Sequence, residues 1–209
     1  YDQVYWMLTF GSVEHVTPVG LRPGMRPYTI LADAASKPFA ATGIRVGWGV
    51  GPADLMGNIA DVVSHAGAWA PRAEQVATAK LLNSGAALAD YVATMKLSVQ
   101  GRLDAMYSGC MALAAAGLPV DAIEPRGAIY LSARFALHGR RTPDGEMLHT
   151  DEDVRRFLLR RAGVAVIPFE VFGYPDGSGW CRLSAGAVSI SDVQNMFPRL
   201  RAALGELTV

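Results

Sequence analysis

Two cationic side chains carry the chemistry this sequence can be read for. Lys37 lies in Ala34-Ala35-Ser36-Lys37-Pro38-Phe39, and Arg45 follows eight residues later in Thr42-Gly43-Ile44-Arg45-Val46-Gly47-Trp48. A lysine amine can hold an aldehyde covalently as a Schiff base. A guanidinium can grip a phosphate through two parallel hydrogen bonds. An ordinary lysine, with a pKa of about 10.4, offers only about one free amine in a few thousand at neutral pH. The chemistry therefore needs a site that disfavours the ammonium, by desolvation or by a nearby cation, and Arg45 is a candidate for that cation.

The elements that must position this pair can be read from apolar patterning. Tyr28-Thr29-Ile30-Leu31-Ala32 is a short apolar and β-branched run that predicts a buried strand, with Lys37 leaving its carboxyl end. In open α/β sheets ligands gather outside that end. Ile44 to Val50 predicts a second buried strand, and Gly11 to Pro27, rich in glycine and proline, predicts a surface excursion. Asp2 to Trp6 reads as the end of another strand, and His15 as a solvated loop residue without a chemical role.

Three stretches, Asp2-Gln3-Val4-Tyr5-Trp6, Ser36-Lys37 with Arg45, and Cys181-Arg182-Leu183-Ser184, appear in an order that resembles the fold-type I pyridoxal-phosphate-dependent aminotransferases of class I/II, the aspartate aminotransferase superfamily. The resemblance spans nearly the whole chain and matches the C-terminal half of that family. It implies that Lys37 holds pyridoxal 5'-phosphate covalently and that Arg45, with Ser36, holds its phosphate. Asp2 would pair with the protonated ring nitrogen, Tyr5 would hydrogen-bond the phenolic oxygen, and Arg182 would bind the substrate α-carboxylate. A nearby carboxylate keeps such a nitrogen protonated, which an electron sink requires. Many family members carry a hydroxyl three residues before the lysine, where this chain has Ala34. An arginine that one subgroup uses for a distal carboxylate is replaced here by Val62-Val63-Ser64-His65.

The resemblance implies an α/β fold: the latter part of a large domain with a mainly parallel sheet and flanking helices, plus a small C-terminal α+β domain. Residues 1–85 are expected to be the second part of the large domain, 86–117 a long interdomain helix, and 118–209 the small domain. The implied reaction moves an amino group between an α-amino acid, aspartate being one candidate, and a 2-oxo acid, in a cytoplasmic homodimer. The missing N-terminal half of the polypeptide would supply the rest of the cofactor's contacts. The same motifs also serve lyases and decarboxylases, and the fold serves as the effector-binding domain of transcription regulators.

Composition agrees with a small-molecule enzyme. The 209 residues carry no formal net charge, and acids and bases are interspersed, so no basic footprint points to nucleic acid. No apolar run approaches the roughly 18 residues of a membrane span. Cys110 and Cys181 are too far apart in sequence to form a metal-type pair, which suits a reduced, cytosolic chain. Neither a metal nor a catalytic thiol is expected.

Further along, Ala53 to Ser64 and Pro71 to Leu82 predict helices, the first with Leu55, Met56, Ile59, Val62 and Val63 at helical spacing. Asn83 to Ala116 predicts a long helix ended by Gly117-Leu118-Pro119. Gly127 to Phe135, Val164 to Phe169 and Trp180 to Ala185 predict strands. Thr150 is expected to cap a helix through Ala162, and Arg155, Arg156, Arg160 and Arg161 to form its solvated face. A closing helix is expected to start at Ser191, with Gln194 completing a capping box and Pro198 kinking it.

Overall fold

The computed structural model describes residues 1–208. The chain divides into two compact units, Tyr1–Leu97 and the residues from Ser98 onward, with the division inside one long helix.

In the first unit a single helical turn, α1 (Pro18–Leu21), capped by the Thr17 hydroxyl, leads into a 3-10 segment, Pro23–Tyr28. The expected strand begins later than the residue types suggest. β1 is Leu31–Ala34, and Tyr28 ends the 3-10 turn at 82% exposure. Pro23 and Pro27 favour that turn by fixing φ, and the run enters the sheet only beyond them. β2 (Gly47–Val50) pairs antiparallel with β1, Ala34 opposite Gly47 and Leu31 opposite Val50. β2 is largely exposed, and a 3-10 turn, Thr42–Ile44, occupies the first part of its expected span. The mainly parallel sheet expected of the α/β fold is represented by one parallel bridge, Asp2 to Ala32; the ladders between named strands are antiparallel. Residues 35–46 hold no crossover helix, and a parallel β1–β2 pair would need one.

Three helices follow: α2 (Ala53–Ala66), α3 (Arg72–Leu82) and α4 (Ala86–Ala115). Gly67, in the left-handed conformation, closes α2, and its N–H returns to Ser64 and Val63. The apolar stripe expected on α2 is present, yet Leu55, Ile59 and Val62 are exposed. Helical spacing sets which side of a helix is apolar and leaves open what covers it.

The second unit is built on a four-stranded antiparallel sheet in the order β3-β4-β6-β5, comprising β3 (Val120–Ala122), β4 (Tyr130–Phe135), β5 (Ile167–Pro168) and β6 (Trp180–Ser184). Alternation defines its faces. Leu131, Ala133 and Phe135 of β4 and Cys181 and Leu183 of β6 are buried, while the intervening residues are half-buried or exposed. The buried residues join Leu103 and Met106 of α4 and Val193 and Leu200 of α6 (Ile190–Gly205) in the core. Each fully buried large side chain stabilises the fold by roughly 1.5–3 kcal/mol. Gly109 lets α4 approach α6 closely, since a Cβ there would collide with the Phe197 ring. Burial pushes the thiols of Cys110 and Cys181 up to about 12, which makes both unreactive at neutral pH.

Thr150 caps α5 (Asp151–Phe157) as expected, and a wider turn, Leu158–Ala162, carries the helix on to Gly163. The Thr150 hydroxyl accepts the Asp153 N–H, and the Asp153 carboxylate accepts the Thr150 N–H, a reciprocal box. Burial opposes ionisation of Asp153, but hydrogen bonds from Arg156, Thr150 and His149 hold its carboxyl at about 2. The arginine cluster is a solvated face: Arg155 pairs with Glu152, Arg156 with Asp153, and Arg161 with Glu206. The last helix starts two residues earlier than expected, with Ser189 as cap and Asp192 completing the box, and it continues across Pro198.

One backbone position has no slack. Gly179, at φ +72°, stands where a Cβ would lie 2.6 Å from the Phe135 carbonyl oxygen, and that residue's N–H is bonded to the Gly179 carbonyl. The clash is with ladder backbone, and the left-handed conformation is itself costly for any other residue. Gly179→Ala is expected to cost on the order of 3 kcal/mol. Thermal unfolding should show a clear loss of Tm, and an unchanged Tm would mean that the sheet opens there at no cost.

Candidate active site

The lysine turn is a well-braced piece of the first unit. Beyond β1, Ser36 to Phe39 turn back on themselves: the Phe39 N–H reaches the Ala35 carbonyl, and the Ala41 N–H reaches that of Ser36. Pro38 and Phe39 are buried, and the Tyr91 hydroxyl of α4 donates to the Phe39 carbonyl at 2.9 Å. Lys37 is half-buried between these anchors, three residues past the end of β1.

Arg45 reaches the same end of the sheet from the other strand. The Ala35 N–H donates to the Val46 carbonyl at 3.0 Å, extending the β1–β2 pairing to the residues beside Ser36 and Arg45. Arg45 adopts the left-handed conformation, φ 58°, and its guanidinium donates to the Thr42 carbonyl at 3.0 Å. It is exposed, with no carboxylate partner among the described residues.

Asp2 runs beside β1 on its parallel side. The Gln3 N–H donates to the Ala32 carbonyl and the Ala32 N–H to that of Tyr1. The expected strand end is a turn. The Asp2 carboxylate accepts the Val4 N–H at 2.9 Å, and the chain folds back so that Tyr5 is half-buried. Backbone pairing therefore brings the segments carrying Asp2, Lys37 and Arg45 side by side on one small sheet. His15 also differs from expectation. It is half-buried, with its ring 6.0 Å from that of Tyr1 and 6.4 Å from that of Trp6.

Asp33 was not anticipated. It lies within β1, is buried, and accepts from the Gln3 amide at 3.3 Å and the Ala34 N–H at 2.7 Å. It ties β1 to the Asp2 segment. An acid inside a short apolar run was the available signal.

These residues fit a phosphorylated aldehyde such as pyridoxal phosphate. An amine stands in a braced turn, and a guanidinium with no acid partner among the described residues lies two residues before the adjoining strand. A carboxylate and a phenol follow one another on the neighbouring segment. Of the five residues expected to touch this cofactor, all belong to the first unit.

Arg182 belongs to the second unit, in the middle of β6, opposite Ser132 of β4 and Ile167 of β5. Alternation turns it away from the core, since its neighbours Cys181 and Leu183 are the buried ones. Its guanidinium carbon lies 4.3 Å from the centre of the Tyr130 ring and 4.9 Å from that of Phe172. Such contacts contribute about 0.5–1 kcal/mol each at exposed sites and hold the fork in a fixed plane. The arginine lines a cavity of about 500 Å³ with Ser132, Phe169 and Tyr174 among its walls, and no acid among the described residues pairs with it. A cation held against rings in a concavity, with no acid paired to it among the described residues, is suited to receive an anion such as a carboxylate. The rings that clamp it were not legible beforehand, because Tyr130 and Phe172 come from a neighbouring strand and a 3-10 turn, Phe169–Phe172.

Comparison with known proteins identifies the family. Residues 1–200 match the family model for aminotransferase class I and II. The aspartate aminotransferase of Rhizobium meliloti (strain 1021) is 31% identical over 208 residues, covering 99% of this chain and 48% of that protein. The crystal structure of the Rhizobium meliloti enzyme superimposes with a TM-score of 0.88 at 30% identity, over 99% of this chain and 49% of that one. The aromatic aminotransferase from Pyrococcus horikoshii OT3 superimposes with a TM-score of 0.83 at 25% identity, over 98% of this chain and 50% of that one. The chain thus spans about half the length of the relatives it matches. It belongs to the class I and II aminotransferases, a pyridoxal-phosphate-dependent family.

Proposed function

We propose that this chain supplies the lysine, the phosphate grip and the carboxylate receptor of an aminotransferase that moves an amino group between an α-amino acid and a 2-oxo acid. The observation that carries the reading is the pairing of Asp2 and Arg45 segments on either side of the strand leading to Lys37. Lys37 would hold pyridoxal phosphate through its amine, Arg45 and Ser36 would hold the phosphate, and Asp2 and Tyr5 would serve the ring nitrogen and the phenolic oxygen. The cofactor, when bound, supplies the electron sink. The protein's own part is to orient and to move protons. Arg182 would fix the substrate α-carboxylate, and the Lys37 amine would carry the proton at the substrate α-carbon.

Aspartate remains a candidate donor, supported by the names of the Rhizobium relatives, while the Pyrococcus neighbour supports aromatic substrates. Residues 1–85 are read as part of the large domain, 86–117 as the interdomain helix and 118–209 as the small domain. The assembly is read as a cytoplasmic homodimer, and no helix among the described residues is long and apolar enough to cross a membrane.

The test is borohydride reduction of the protein at its natural length, followed by peptide mapping. The pyridoxyl label is expected on Lys37, together with steady turnover of an amino acid and a 2-oxo acid. Label on another lysine, or on none, would refute the assignment.

A further inference from the structure

We infer that Asp151 is a positioning residue for Arg182, holding the start of β6 so that the guanidinium meets the substrate carboxylate. The inference rests on the reading of Arg182 as the carboxylate receptor.

Asp151 is 0% exposed, and a buried carboxylate is tolerated only when its oxygens are satisfied. It stands in the first turn of α5, where an acid favours the helix dipole. The cap itself does not need it, because Thr150 and Asp153 already form the reciprocal box. Its carboxylate is turned to Ser178 and Gly179. Oδ1 accepts the Gly179 N–H at 2.9 Å, and Oδ2 accepts the Ser178 hydroxyl at 3.3 Å. The Ser178 oxygen in turn accepts the Trp180 N–H at 3.2 Å. One carboxylate therefore holds two successive backbone N–H groups, one directly and one through a hydroxyl, three and two residues before Arg182.

The grip is returned from the other side. The Asp151 N–H donates to the Asp176 carboxylate at 3.0 Å, which also takes the Gly177 N–H at 2.7 Å. The loop so fixed joins Tyr174, on the cavity wall, to Trp180 at the head of β6. His138 Nε2 lies 3.1 Å from Asp151 Oδ1 but makes no hydrogen bond to it. These three groups come close together, but both carboxylates are already occupied by backbone N–H groups, which favours a latch over a metal site. With Gly179 also pressed against the Phe135 carbonyl, the start of β6 has one available position, and Arg182 inherits it.

The experiment is steady-state kinetics on the holoenzyme at its natural length. Asp151→Asn keeps the shape but weakens the acceptor. KM for the amino acid and for the 2-oxo acid is expected to rise about 10–30-fold together, while kcat stays within about threefold. In an Arg182→Lys background the same substitution should change KM less than about twofold, because residues acting as a unit are non-additive. Equal effects in both backgrounds, or an unchanged KM in a folded Asp151→Asn protein, would overturn the latch. If Asp151→Asn fails to fold, Ser178→Ala carries the same test, with an expected rise of about three- to fivefold and no rise as the refuting result. If Arg182→Lys alone leaves KM unchanged, the receptor reading falls and the latch falls with it. If Arg182→Lys raises KM and Asp151→Asn does not, only the latch is lost.

Discussion

Lys37→Ala is expected to leave a folded protein with turnover reduced by at least about 10⁴-fold. On the proposed reading the substitution removes two functions at one atom, the amine that would hold the cofactor and the base that would move the substrate proton. A positioned general base alone is worth about 10²–10⁴ in rate, and fixed orientation of reacting groups contributes beyond that. The fold should survive, because the turn is anchored by buried Pro38 and Phe39 and by the Tyr91 hydroxyl, none of which depends on the lysine side chain. The measurement is kcat for the amino acid with circular dichroism as the folding control, and borohydride labelling of this chain should vanish in parallel. Residual turnover within about tenfold of the parent would mean that another lysine does the work.

The second large effect is at Arg182. Arg182→Ala is expected to lower kcat/KM by about 10²–10³-fold for both the amino donor and the 2-oxo acceptor, since each carries the α-carboxylate the guanidinium would bind. Truncating one partner of a hydrogen-bonded charge pair costs about 2–5 kcal/mol, and the expected range, about 2.7–4.1 kcal/mol, lies inside that. Two effects are mixed in this variant. The Tyr130 and Phe172 rings lose the cation between them, worth about 1–2 kcal/mol together. Arg182→Lys separates them by keeping the charge and losing the fork, and should fall between the parent and the alanine variant. An alanine variant with unchanged kcat/KM would show that the carboxylate binds elsewhere.

Local rules located most of the helices. Thr150 before three acids, Gly67 after an apolar stripe and Gly117-Leu118-Pro119 after a long periodic run each satisfy or stop backbone hydrogen bonding within a few residues, so the chain carries its own punctuation. Where two local signals competed, position was ambiguous. Ser189 and Ser191 can both cap, and the choice of Ser189 depends on Asp192 returning its carboxylate to the Ser189 N–H. The strands were less legible. The run from Tyr28 looks extended from side-chain type alone, but prolines upstream wind it into a 3-10 turn, and pairing with β2 begins only at Leu31. Strand existence depends on a partner that may be many residues distant, and type alone does not report one.

By itself the sequence determined which groups are chemically available. An amine eight residues before a guanidinium, an acid three residues before a phenol, and an arginine in an alternating strand are facts of composition and order. Tertiary structure alone decided which of them meet what. It set Asp2 beside Ala32, braced the lysine turn from α4, clamped Arg182 between rings from two other elements, and turned a buried Asp151 toward the loop before β6. The physical reason is that contacts between distant residues are selected by the packing of whole elements and the satisfaction of buried polar groups, and no short stretch of chain encodes either.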